Sequence, residues 1–136
     1  MNLPTAETMP RVALDSMNHT HEEELVLVQA LVDALTQQPA DIQLIQPLAE
    51  QWHTHTQKHF ASEENLMQQT GFPAYSVHKG EHERVLAQIT SYMLSLREGN
   101  ILPLTLFLTN DWPQWFMLHV QTMDTATAMY ASRCGL

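Results

Sequence analysis

Tyr75 to Arg97 reads YSVHKGEHERVLAQITSYMLSLR. In it His78, His82, Val85, Ile89, Met93 and Leu96 recur three and four residues apart, the step that stacks side chains on one face of an α-helix. That face is apolar except at its start, where two imidazoles stand one turn apart. Glu98-Gly99-Asn100 breaks the pattern. Three other stretches read the same way. Ser16 to Thr36 aligns His21, Leu25, Val28, Val32 and Leu35, and Pro39 ends it. Asp41 to Thr70 aligns Ile45, Leu48, Trp52, His55, His59 and Leu66, and stops at Gly71 and Pro73. Pro47, inside its first turns, predicts either a kink or a late start. Pro103 to Ser132 carries Leu108, Trp112, Trp115, His119, Met123 and Ala126. Pro103 suits a first helical turn, whereas the interior Pro113 predicts a bend near Thr109. Four amphipathic helices joined by short connections predict an all-α fold. The expected form is an up-down-up-down antiparallel four-helix bundle over residues 16–136, preceded by an N-terminal arm of residues 1–15.

A chain of 136 residues is one domain by its length and can bury a real core. Six basic residues against 15 acidic ones give a formal charge of −9. That balance argues against nucleic acid or an anionic membrane as partner, because both need basic patches. No run approaches the roughly 20 apolar residues of a membrane span, and the start of the chain lacks the pattern of a secretory signal. The single cysteine, Cys134, has no intramolecular partner, so a cytoplasmic location is expected. Eight methionines fit flexible core filling.

Seven residues from the four stretches fit one metal site: His21; His59 and Glu63; His78 and His82; His119 and Asp124. A lone inward histidine is ordinarily a hydrogen-bonded core residue, and one H-x-x-x-H pair is ordinarily a solvated face. Two i,i+4 pairs on otherwise apolar stripes, with histidines on both remaining stripes, are different. So many polar groups facing one bundle axis cost several kcal/mol each, on the order of magnitude known for unpaired buried groups, unless a cation gathers them. Five imidazoles and two carboxylates suit two first-row ions, iron best and manganese or zinc less well. Asp124 is the awkward member. Five residues beyond His119, it lies some 140° around a regular helix from it, so a one-residue π bulge near Met123 is expected. His21 is preferred over His19 because it shares the stripe of Leu25 and Val28. His55, one turn before His59, is read as a hydrogen-bonding partner behind a metal ligand or a polar core residue, with an extra ligand or proton relay as the alternative. His53 is expected in solvent, and Trp112 and Trp115 in the core.

The set H…H-x-x-x-E…H-x-x-x-H…H-x-x-x-x-D resembles the signature of the hemerythrin family, in its bacterial single-domain branch. His59 to Met67 is similar to that family's HFxxEExxM segment. Gly71-Phe72-Pro73 followed by His78-Lys79-Gly80-Glu81-His82 resembles its YP…HxxEH segment, and Trp115 to Asp124 its WLxxHIxxxD segment. Met17 to His21 is similar to its looser first-helix motif. The resemblance runs from Met9 onward. It implies a non-haem di-iron centre, oxo- or hydroxo-bridged, that binds O2 reversibly for storage, delivery or sensing. By position, one iron would take His78, His82 and His119. The other would take His21 and His59 and keep an open position where O2 binds, with Glu63 and Asp124 bridging. Phe116 stands where the family usually has a leucine lining the O2 pocket, a change that bears on access and autoxidation. The alternatives are a di-iron redox enzyme acting on peroxide or nitric oxide, and a metal-handling protein without gas chemistry. Against the first stands the histidine-rich set, since only Glu50-x-x-His53 has the spacing of ferritin-like oxidases.

Overall fold

The structure is a computed structural model that describes residues 3–136. Four long helices make up most of it, and no strand occurs among the described residues. α1 spans Asp15–Leu35, α2 Ile42–Thr70 and α3 Tyr75–Arg97. The fourth helix covers 102–133 and is interrupted by two π turns, Phe107–Asp111 and Val120–Asp124. Each helix packs on its predecessor, and the fourth also meets α1 and α2, which closes an antiparallel four-helix bundle. None of the described helices is long and apolar enough to cross a membrane.

The helix ends follow from local chemistry. Asp41 caps α2: its carboxylate accepts hydrogen bonds from the backbone N–H groups of Gln43 and Leu44 at 3.1 and 3.4 Å, a cap worth about 1 kcal/mol. Gly71 ends the same helix at φ 66°, a left-handed conformation that only glycine adopts cheaply. Phe72 N–H then reaches back to the Met67 carbonyl at 2.9 Å. The segment before α1 is tied down by Asn18, whose side chain accepts from Val12 N–H at 2.9 Å and donates to Val12 C=O at 3.0 Å. Met9 and Val12 are thereby buried against the bundle.

Pro47 and Pro113 are accommodated differently. α2 starts on time and runs through Pro47, which is exposed. The carbonyl left without a partner there belongs to exposed Gln43, where water can reach it. At Pro113 the expected bend takes the form of the first π turn, in which Trp112 N–H bonds to Phe107 C=O five residues back. The wider turn relieves the clash that the proline ring would make with Thr109.

The second π turn corrects the inner stripe of the fourth helix. Beyond it the buried positions are Asp124, Thr127, Ala128 and Ala131, while Ala126 is exposed and Met123 half-buried. One extra residue in the turn advances the register by one, so a stripe extrapolated at regular spacing drifts off the core.

Antiparallel topology divides the interior into two zones. The starts of α1 and α3 lie at the same end as the finishes of α2 and the fourth helix, and all seven candidate donors come from those segments. The other end is apolar: Leu31, Ile45, Trp52, Ile89, Leu96 and Leu108 are essentially without solvent exposure. Burying each such side chain stabilises the fold by about 1.5–3 kcal/mol. That reserve offsets the cost of collecting charged and polar groups at the opposite end.

Candidate metal centre

His21, His59, Glu63, His78, His82, His119 and Asp124 all converge, and none is more than 4% exposed. They form two overlapping groups. Glu63, His78, His82, His119 and Asp124 make one, and His21, His59, Glu63 and Asp124 the other, with donor atoms in each group within 4.8 Å of one another. The carboxylates belong to both. Glu63 turns Oε1 toward His78 Nε2 (3.3 Å) and His82 Nε2 (3.2 Å), and Oε2 toward His59 Nε2 (2.7 Å) and His21 Nε2 (3.7 Å). Asp124 turns Oδ1 toward His78 and His119 Nε2 (3.1 and 3.2 Å) and Oδ2 toward His21 Nε2 (3.0 Å). Each carboxylate therefore gives one oxygen to a three-imidazole side and the other to a two-imidazole side. Asp124 reaches this position because the π turn Val120–Asp124 takes up the extra residue of its five-residue step.

The chemistry of this set fits a cation. Glu63 Oε1, Asp124 Oδ1 and His82 Nε2 are fully enclosed yet have no aligned hydrogen-bond partner. His78 and His119 bring their Nε2 atoms to 3.2 Å, where one ring must carry a proton or both must share a cation. Buried polar atoms left this way cost about 1–3 kcal/mol each. The protonation balance points the same way. Burial alone would keep His78 neutral, but the facing Asp124 and Glu63 carboxylates outweigh it and raise its pKa to about 9. Burial likewise opposes charge on His59, and Glu63 and Glu24 push its pKa well up. Burial would also protonate Glu63, but the imidazoles of His59, His21 and His78 hold its pKa well below the usual range. Two carboxylates thus demand positive charge at the site, which a metal supplies without protonating the imidazoles.

The outward-facing ring nitrogens and ring faces are also tied. His78 Nδ1 pairs with the Thr127 hydroxyl at 2.8 Å, and His82 Nδ1 with the Glu64 carboxylate at 2.9 Å. Phe60 stacks on His82 with centroids 3.9 Å apart, and Trp115 on His119 at 4.7 Å. Trp115 sits at the edge of the core: it packs against it half-buried, and its indole N–H donates to Glu81 at 2.8 Å. Stacking on a histidine and bonding a surface carboxylate keep it at the boundary. Phe116 is buried, edge-on to His21 at 5.7 Å and stacked on Trp112 at 4.5 Å. It thus stands beside the two-imidazole side. A cavity of about 210 Å³ between α1 and α2 reaches the same side, with Ser16, Thr20, Ser62 and Asn65 on its walls and His59 and Glu63 at its base.

The other histidines separate cleanly. His19 is exposed and His21 buried. His19→Ala should leave metal content unchanged while His21→Ala lowers it, as metal analysis of the purified proteins will show. His53 is half-buried rather than in solvent, with Nε2 enclosed and unpartnered. His55 lies outside both donor groups, on the Glu24 side of His59. Its Nδ1 donates to Glu24 at 2.6 Å, and its ring stands edge-on to His59 at 6.1 Å, behind that ligand rather than among the seven.

Glu24 is the residue that sequence reasoning missed. It is 2% exposed and accepts hydrogen bonds from Trp52 Nε1 (2.7 Å), Thr56 Oγ1 (2.6 Å), His55 Nδ1 and His59 Nδ1 (3.3 Å). Burial pushes its pKa up, but the bonds from His55, His59 and Thr56 prevail and hold it at about 2. The signal was present, since Glu24 lies three residues after His21 on the inner stripe. The run Glu22-Glu23-Glu24 disguised it as a solvated face.

The hemerythrin HHE cation binding domain family matches residues 10–130 of the chain. Over 113 residues the chain is 31% identical to a bacteriohemerythrin of Aquifex aeolicus, a match spanning 82% of this chain and 85% of that one. Over 69 residues it is 31% identical to a myohemerythrin of Sipunculus nudus, covering 51% of each. A crystal structure of a hemerythrin mutant superimposes with a TM-score of 0.79 at 20% identity, covering 89% of this chain and 90% of the other, a likeness of fold. With a family match over most of its length and a buried histidine–carboxylate cluster that fits a metal, the chain belongs to the hemerythrin family.

Proposed function

We propose that the protein is a non-haem di-iron O2-binding protein. His78, His82 and His119 would hold one iron, His21 and His59 the other, and Glu63 and Asp124 would bridge them. The observation that carries this reading is the division of both carboxylates, each with one oxygen toward three imidazoles and one toward two. The side with fewer imidazoles is the side available to a ligand, and the polar cavity and Phe116 both lie against it. Two ferrous ions in such a set supply reversible O2 binding. The chain's own residues contribute the rest. Thr127 and Glu64 fix the orientation of His78 and His82, and the apolar faces of Phe116, Trp112 and Phe60 keep bulk water from the centre.

Storage, delivery and sensing all rest on the same binding step, so the test addresses that step. Protein reconstituted with ferrous iron under argon should gain a visible charge-transfer band on exposure to O2 and lose it on deoxygenation, through repeated cycles. Immediate irreversible oxidation would favour a redox enzyme, and a colourless protein that prefers zinc would remove both readings. Phe116 gives a graded check. Phe116→Leu opens space beside His21 and should speed both ligand entry and autoxidation by several-fold, read by stopped-flow absorbance. Unchanged rates would remove Phe116 from the ligand pocket.

A further inference from the structure

On the far side of His59 from the donor cluster lies a second polar assembly, built from α1 and α2 alone. Glu24 Oε2 takes the Trp52 indole N–H and the Thr56 hydroxyl, and Oε1 takes His55 and His59 Nδ1. Four donors saturate the carboxylate and leave it no freedom to turn. Because an ionised carboxylate only accepts, His59 must carry its proton on Nδ1, which leaves the Nε2 lone pair facing Glu63 and the site. We propose that Glu24 is a positioning residue for one half of the metal centre. It fixes His59 in the Nδ1–H tautomer and strengthens the grip of the two-imidazole side on its ion.

The asymmetry between the two sides is what gives Glu24 this task. The three-imidazole side has a hydroxyl behind His78 and a partly exposed carboxylate behind His82. On the two-imidazole side, His21 Nδ1 is enclosed with no partner. His59 is then the one ligand there whose orientation and basicity are set from behind. A fully buried carboxylate does this more strongly than a hydroxyl, since a charge-assisted bond in a dry interior is unscreened. Trp52 and Thr56 hold the carboxylate, and His55 connects it to the surface beside Glu23 at 3.4 Å.

This inference rests on the two-ion reading above, and one experiment separates their failures. Wild type and Glu24→Gln are titrated anaerobically with cobalt(II), following the d–d absorption of each ion. Wild type should take up two ions. The variant should bind the first within about twofold of wild type and the second 10- to 100-fold more weakly, the range for loss of an outer partner of a metal-bound histidine. Equal weakening of both ions means that Glu24 serves packing only, and no weakening means that it is idle. Either result overturns the proposal. A wild type that binds fewer than two ions overturns the two-ion reading, and this proposal with it. Should the variant fail to fold, zinc-loaded wild type decides by nuclear magnetic resonance. The His59 Nδ1 proton should be present, far downfield and slow to exchange, and coordination through Nδ1 would contradict the assignment.

Discussion

Asp124→Ala should leave the chain with at most one tightly held metal ion. Asp124 faces His78 and His119 with one oxygen and His21 with the other, so its loss strips a donor from both sides at once. Removing an outer partner typically weakens metal binding 10- to 100-fold, and removing a shared inner donor should cost more than about 100-fold. The fold itself should survive. Asp124 is enclosed, but its removal also lowers the demand for charge on the neighbouring imidazoles, leaving Glu63 as the one carboxylate among them. Metal analysis after gel filtration, with circular dichroism to confirm helicity, provides the check. Two ions per chain in the variant would show that Asp124 is not a bridging ligand.

The second large effect is that metal removes the loss of stability above neutral pH. In the metal-free protein the pKa of His78 is raised to about 9 from 6.5. A group whose pKa is raised by folding contributes stability fully present below its unfolded value, and that contribution is lost as pH rises through the folded one. Metal-free protein should therefore lose stability between pH 6.5 and about 9, by up to about 3 kcal/mol from this group. Metal-loaded protein should instead gain stability as pH rises through about 6.5, where the unfolded histidines shed their protons, and then hold level, because the ligating imidazoles carry no proton to lose. Loading should also raise the melting temperature by roughly 10 °C or more, given about 4 kcal/mol of linkage at a thousandfold excess over Kd. Melting curves of chelated and loaded protein at several pH values test this. Parallel slopes would contradict it.

Much of this was legible in the sequence because helical periodicity and metal ligation obey the same spacing. The stripe of α3, from His78 to Leu96, is buried as the pattern predicts. The two i,i+4 pairs land on the bundle axis, and the five-residue step from His119 to Asp124 required the π turn that is present. What spacing could not give was register beyond that turn, where Ala126 leaves the core and Thr127 enters it to meet His78. Nor could it give contacts between helices. Glu24 is polar, flanked by glutamate and on a helix face, and only the approach of Trp52, Thr56 and His59 from α2 explains its burial. The place of Trp115 at the core's edge was hidden for the same reason: its partners, His119 and Glu81, lie partly on another helix.

Two ferric ions that share the carboxylates of Glu63 and Asp124 must be magnetically coupled. Mössbauer spectroscopy of protein loaded with isotopically enriched iron and oxidised in air reads that coupling. Two bridged high-spin ferric ions couple antiferromagnetically, so the protein should show a diamagnetic ground state, with quadrupole doublets that stay unsplit at liquid-helium temperature in a small applied field. Magnetically split spectra from isolated ferric ions would contradict it.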